Sequence, residues 1–125
     1  MDFELNAEQK MIIETASDIA HDFGPEYWRE KDKKHEFPED FWKALVEAGF
    51  TGIIIPERYG GSGMGMFEMI LAMETLTSEG CGLAGTWFLC LTSIFGGLSI
   101  TKHGNEQQKE KYLPKIAKGM EFCLA

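Results

Sequence analysis

Between Gly80 and Thr101 the chain carries no charged side chain, a run of roughly 22 positions that is long enough to cross a bilayer as a helix. Such a run has to leave water, which narrows the chain to a membrane span or a helix at the centre of a bundle. Gly80, Gly82, Gly85, Gly96 and Gly97 interrupt it, and Thr86, Thr92, Ser93 and Ser99 add hydroxyls. These favour the second solution. The run is expected to form a helix buried on all sides in a helical bundle, with no membrane span.

The rest of the 125-residue chain supplies helices to cover it. Asn6 caps a first helix with Gln9 three positions on, and Ile12, Ala16, Ile19 and Phe23 give it one buried face. Gly24-Pro25 breaks or restarts that helix, and the charged stretch Glu26 to Glu36 continues as an exposed one. Phe37-Pro38 opens the next, with proline expected at the first helical position and Phe41, Leu45 and Ala48 buried before Gly49 stops it. Ile53-Ile54-Ile55-Pro56 reads as a short extended piece, followed by a glycine loop from Glu57 to Gly63. Met66, Met69, Met73 and Leu76 mark another helix. Gly104, expected in the left-handed conformation, ends the uncharged helix. Asn105 and Gln108 then start a last one, with Tyr112, Leu113 and Ile116 buried and Gly119 at its end.

Net charge excludes one class of partner. At −8, the protein as a whole repels nucleic-acid phosphates, and the basic cluster Lys31 to Lys34 sits among Glu26, Glu30, Asp32 and Glu36 as a solvated helical face. Cys81, Cys90 and Cys123 have no paired or metal-ligand spacing, and the chain opens on Met1-Asp2-Phe3-Glu4 without a secretory pattern. A reduced, cytoplasmic setting is expected. His21, His35 and His103 have no metal partner at helical spacing: His21 and His35 are expected to face solvent and His103 to lie near a helix C-terminus. No Ser-His-Asp or Cys-His arrangement stands out. Gly60-Gly61-Ser62-Gly63 lacks the spacing of a phosphate cradle and reads as a tight turn into a helix. Phe122-Cys123-Leu124-Ala125 looks like the start of a strand, although nothing earlier in the chain supplies a sheet.

Three segments in order carry a family resemblance. They are Phe37-Pro38 through Leu45-Val46-Glu47-Ala48-Gly49-Phe50, then Pro56-Glu57-Arg58-Tyr59-Gly60-Gly61-Ser62-Gly63-Met64, then Gly104-Asn105-Glu106-Gln107-Gln108-Lys109 through Tyr112-Leu113-Pro114 and Gly119. Together they resemble the N-terminal helical domain of the acyl-CoA dehydrogenases. The resemblance implies an all-α fold, an up-and-down or orthogonal bundle of about five to six helices. On this reading residues 1–119 are the helical domain, and 120–125 begin the first strand of a middle β domain.

The same resemblance implies an FAD-dependent α,β-dehydrogenation of an acyl-CoA thioester, in which a glutamate removes the α-proton and the β-hydride passes to flavin. That glutamate and the main flavin motifs of the family lie beyond Ala125, so no catalytic residue and no metal site is assigned here. The acyl pocket is partly walled by the uncharged helix, on Trp87, Leu91 and Phe95, which recur every four residues and share one face. Two large aromatics there shorten the cavity and favour short, branched or ring-bearing acyl groups. Leu124 and Ala125 sit where the first barrel strand of the family presents its backbone to the flavin ring. Implied partners are the acyl-CoA substrate, an electron-transfer flavoprotein and further copies of the chain in a homotetramer. Alternatives are the same domain in an acyl-CoA oxidase or flavin-dependent monooxygenase, or a free-standing helical interaction module.

Overall fold

Asn6 begins the fold. Its side chain accepts a hydrogen bond from the Gln9 N–H at 2.8 Å, and the Gln9 side-chain oxygen accepts one from the Asn6 N–H at 3.0 Å, closing a capping box. In the computed structural model, which describes residues 4–123, helix α1 (Ala7–Asp22) follows from that cap. It buries Ile12, Ala16, Ile19 and Ala20, chiefly against Met69, Ala72 and Leu76 of α4 (Met66–Leu76). The Gln9 amide also donates to Glu68 at 2.8 Å, joining the starts of the two helices. With the Gly65 N–H donating to it as well, the Glu68 carboxyl is held below the usual carboxylate range, first by Gln9.

Helix α2 (Pro25–Lys34) restarts at Pro25 and has no fully buried residue. Its charges pair locally, Lys31 with Glu36 at 3.2 Å and Lys34 with Glu30 at 2.5 Å, as a solvated face does. Only its aromatic edge turns inward. Phe23, Tyr27, Trp28 and Phe41 meet edge to face at ring-centroid distances of 4.8 to 5.5 Å. Phe41 belongs to α3 (Glu39–Glu47), which also buries Trp42 and Leu45 and ends at Gly49, φ 76°. Pro38 is not the first helical residue. Its ψ of 68° keeps it outside the helix, where its carbonyl accepts from the Trp42 N–H at 2.9 Å.

The Ile53–Ile55 segment is not extended. Phe50–Gly52 forms a 3-10 turn, Ile53 is helical at φ −49°, ψ −50°, and the Ile55 N–H donates to the Gly52 carbonyl at 3.1 Å. All six residues from Phe50 to Ile55 are buried. An extended path there would leave buried N–H and C=O groups without partners, so the chain coils and bonds to itself. The glycine loop then zips onto this coil, with Ser62, Gly63 and Met64 N–H groups donating to the carbonyls of Gly52, Ile55 and Ile53 at 2.8 to 2.9 Å. A Cβ on Gly61 would lie 2.1 Å from the Ile55 carbonyl oxygen, which explains a bare backbone in this tight turn.

After α4, a wide turn over Thr77–Cys81 breaks at Gly80, φ 156°, where a Cβ would lie 2.5 Å from the Ala20 carbonyl oxygen. The uncharged run then rises as one continuous rod, 82–103. It starts as α5 (Gly82–Leu89), widens into π-type turns over Cys90–Leu98 and closes as α6 (Ser99–His103). This rod is not buried on all sides: Leu83 is 73% exposed, Trp87 51% and Phe95 40%. Leu89 is fully buried, and within the π-type turns the buried residues are small, Thr92, Ser93, Gly96 and Gly97. Gly104 is extended rather than left-handed, φ −69° and ψ 148°, because the chain passes straight into the Asn105–Gln108 capping box of α7 (Glu106–Ala117). Leu113 and Ile116 are buried and Tyr112 half-buried, and Gly119 stops the chain at φ 91°. Residues 120–123 are irregular, and Leu124 and Ala125 lie outside the described residues.

Counting the 82–103 rod once, the described residues form six helices and no strand. No helix among them is long and apolar enough to cross a membrane. His21 and His35 face solvent, and His103 lies exposed in the last turn of α6, as expected.

Two contacts lend themselves to measurement. Gly80→Ala places a side chain at a strained φ and against the α1 carbonyl, and is expected to lower the unfolding free energy by about 1–3 kcal/mol in urea titration. The second is Tyr59, whose hydroxyl donates to Glu106 at 3.1 Å. That bond, then Lys109, holds the Glu106 carboxyl below the usual carboxylate range. A folded pKa below the unfolded one means stabilisation that is complete above the unfolded value and lost as pH falls through the folded value. Tyr59→Phe is therefore expected to destabilise at neutral pH, with a difference from wild type that shrinks in acid. An NMR titration should show the Glu106 carboxyl moving up.

Candidate functional site

The candidate side chains lie on the 82–103 rod. Trp87 belongs to α5 and Leu91 and Phe95 to the π-type turns, and with Leu83 they recur every four residues on the outward face. Trp87 and Phe95 are exposed and Leu91 is half-buried. The structure thus brings the three predicted residues together, as a hydrocarbon and indole stripe open to the outside. Sequence periodicity located the stripe; what the structure corrects is the expectation that the uncharged run as a whole is buried on every side.

Behind Leu91 and Phe95 the rod has little room for large residues. The Ser93 hydroxyl donates to the Thr51 carbonyl at 3.0 Å, and the Thr51 hydroxyl donates to the Ala117 carbonyl at 3.0 Å. These bonds tie the rod to the 50–55 coil and the coil to the end of α7. A Cβ on Gly97 would lie 2.6 Å from the Ile55 side chain, so the coil seats directly on the rod backbone. The Trp42 indole N–H donates to the Gly119 carbonyl at 3.1 Å and fixes the turn after α7 from the side of α3. Phe88, the neighbour of Trp87, turns the other way and packs near Phe37, Phe41 and Trp42.

Two clefts lie beside the first part of the rod. One, of about 370 Å³, lies between α4 and α5, lined by Ile70, Met73, Glu74, Thr77, Ser78 and Thr86. The other, of about 390 Å³, runs along α2 beside Phe88, lined by Trp28, Lys31, Asp32, His35, Glu36 and Pro38. Trp87, Leu91 and Phe95 line neither. They form one side of a surface, which becomes a pocket only when something covers it. Sequence reasoning did not find the α4–α5 cleft, where Ile70 is exposed beside the buried Met69.

Acid–base chemistry has little to work with at this face. The nearest perturbed group on the same stretch of chain is Cys81, whose thiol burial pushes up to about 11. It behaves as a small buried hydrophobe rather than a nucleophile. No group of three His, Cys, Asp or Glu side chains able to hold a metal occurs among the described residues. The two residues expected to touch flavin, Leu124 and Ala125, lie outside them.

With this geometry in hand, comparison with known proteins gives a consistent answer. A family model described as the N-terminal domain of acyl-CoA dehydrogenase matches residues 6–120. Bovine (Bos taurus) mitochondrial isovaleryl-CoA dehydrogenase is 38% identical over 122 residues, covering 92% of this chain and 27% of the relative. Butyryl-CoA dehydrogenase from Megasphaera elsdenii superposes with a TM-score of 0.83 at 30% identity, over 98% of this chain and 32% of that one. A chain in a structure of the electron transferring flavoprotein of Acidaminococcus fermentans superposes with a TM-score of 0.84 at 36% identity, over 95% and 31%. The chain spans 27 to 31% of the length of the curated relatives it matches.

The exposure of the stripe is directly testable. Trp42 is buried, Trp28 is half-buried and bonded to the Phe23 carbonyl, and Trp87 is half exposed. On the 125-residue chain, Trp87→Phe is expected to remove most of the acrylamide-quenchable, red-shifted tryptophan emission. Unchanged quenching would mean that the stripe is already covered.

Proposed function

Since the chain belongs to the acyl-CoA dehydrogenase family as its N-terminal domain, we propose that it forms one wall of the acyl pocket in a three-domain, FAD-dependent acyl-CoA dehydrogenase. The observation that carries this reading is the outward stripe of Trp87, Leu91 and Phe95, an apolar face built into the domain and backed by a rod fixed on its inner side. An alkyl chain lying on that face gains by leaving water, at about 25 cal/mol per Å² of apolar surface covered. The relatives' greater length supports a protein in which further domains close over it, residues 120–125 leading into the first strand of the next one.

The stripe of Trp87, Leu91 and Phe95 is hydrocarbon and aromatic. FAD, which accepts the β-hydride when bound in such an enzyme, is on this reading held mainly by other parts of the full protein, with Leu124 and Ala125 the contacts proposed from this chain. The α-proton is also removed elsewhere. What this chain does is bind and orient: it excludes water from one side of the acyl group and limits how far that group reaches.

Trp87 and Phe95 are bulky, so the reading includes a substrate with a short, branched or ring-bearing acyl group. The similarity to isovaleryl-CoA and butyryl-CoA dehydrogenases agrees with that. An electron-transfer flavoprotein is proposed as the electron acceptor, supported by the relative found in an electron transferring flavoprotein structure. Assembly as a homotetramer and a cytoplasmic setting complete the reading, the latter supported by Cys81 and Cys90, which form no disulfide.

Steady-state kinetics of the full-length protein across acyl-CoA chain lengths tests it. Wild type is expected to favour short or branched acyl groups. Trp87→Ala and Phe95→Ala should shift kcat/KM toward longer chains by about tenfold or more. A wild-type preference for long straight chains would overturn the short pocket, and no turnover of any acyl-CoA would overturn the reading as a whole.

A further inference from the structure

The inner side of the rod carries a second feature, one turn away from the stripe. Phe122, in the segment leaving the domain, rests its ring on the bare backbone of Gly96. A Cβ at position 96 would lie 2.7 Å from the Phe122 Cγ, 2.9 Å from its Cδ1 and 3.1 Å from its own Cβ. Real side chains do not approach so closely, so only glycine admits the ring. The Phe122 N–H also points at the buried Thr92 hydroxyl, a long hydrogen bond of 3.4 Å. Thr92 and Gly96 stand four apart on the rod, each directly after a stripe residue: Leu91 then Thr92, Phe95 then Gly96.

This stretch of the rod is also where it widens into π-type turns, which are costlier than regular helix and persist where neighbours hold them. One neighbour is the coil on Gly97 and Ser93; the other is Phe122 on Gly96 and Thr92. Upstream of Phe122 the exit is pinned twice more, by Thr51 at the Ala117 carbonyl and Trp42 at the Gly119 carbonyl. The path from α7 to Phe122 is thus held from the coil, from α3 and from the rod.

We propose that Thr92, Gly96 and Phe122 form a latch that locks the exit segment to the rod, fixing in one geometry the wall face and the chain leading to the next domain. Thr92 and Gly96 are then positioning residues for the acyl-CoA reaction, a role that rests on the function proposed above. Because the stripe and the latch use adjacent residues of the same turns, moving one moves the other.

The sign of a coupled substitution tests the latch in the full-length protein. Alanine is a better helix former than glycine, so Gly96→Ala on its own should help the rod. With Phe122 in place it is instead expected to raise hydrogen exchange of amides 120–123 and 90–98 by about tenfold. In a Phe122→Ala background the same change should leave that exchange level or slow it. Thr92→Val should speed exchange at the Phe122 amide severalfold, and Thr92→Ser, which keeps the hydroxyl, should restore it. Exchange in Gly96→Ala equal to wild type, or equal effects in both backgrounds, overturns the latch. Kinetics decide the positioning role: an opened latch should lower kcat for a short acyl-CoA about tenfold with a smaller change in KM, and unchanged kinetics would overturn it. If wild type turns over no acyl-CoA, the proposed function and the positioning role fall together, while the exchange data still decide the latch.

Discussion

Much of this domain hangs on one inward strip of the 82–103 rod, Thr92, Ser93, Gly96 and Gly97, being almost without side chains. Thr92, Ser93, Gly96 and Gly97 present backbone and short hydroxyls, and three separate pieces of chain come to rest on them or on what they hold. The 50–55 coil seats on Gly97 and Ser93, the end of α7 bonds to the coil through Thr51, and Phe122 seats on Gly96. Larger residues at these positions would push all three outward, and the packing that follows has no slack to absorb the shift.

The outer face differs. Opposite that strip the rod carries Leu83, Trp87 and Phe95 on the outside, at an exposure unusual for side chains of that size. A hydrocarbon face of this kind is costly for a domain standing alone and useful for one that is covered. The functional reading follows from that asymmetry together with membership of a family whose members are about three times as long. It does not follow from acid–base groups or metal ligands, of which this face has none among the described residues.

The motifs behind the family resemblance also acquire physical meaning. Tyr59 of the Pro56–Met64 segment is buried and donates to Glu106 of the Gly104–Leu113 segment, with Arg58 over the Tyr59 ring at 4.5 Å and 3.4 Å from the same carboxylate. Gly61 lets the loop touch the Ile55 backbone. Gly119, from the third segment, receives the Trp42 indole of the first. Segments that look independent along the chain are contact partners in space, which is why they occur together.

Features made by neighbours in sequence were legible from the sequence: the Asn6–Gln9 and Asn105–Gln108 capping boxes, the stops at Gly49 and Gly119, the proline restart at Pro25, and the four-residue spacing of Trp87, Leu91 and Phe95. Each depends on hydrogen bonds or side-chain spacing within one turn, so local chemistry suffices. Tertiary structure decided the rest. The three isoleucines coil because they are buried with no strand beside them to bond to. The uncharged rod turns Trp87 and Phe95 outward while its glycines and Ser93 let other pieces of chain come closer than a large core side chain would allow. Phe122 finds its place on Gly96, 26 positions earlier in the numbering of the chain. Such close approaches leave no periodic mark in a sequence, since their cause lies in a residue that is absent from one side of a helix rather than present on the other.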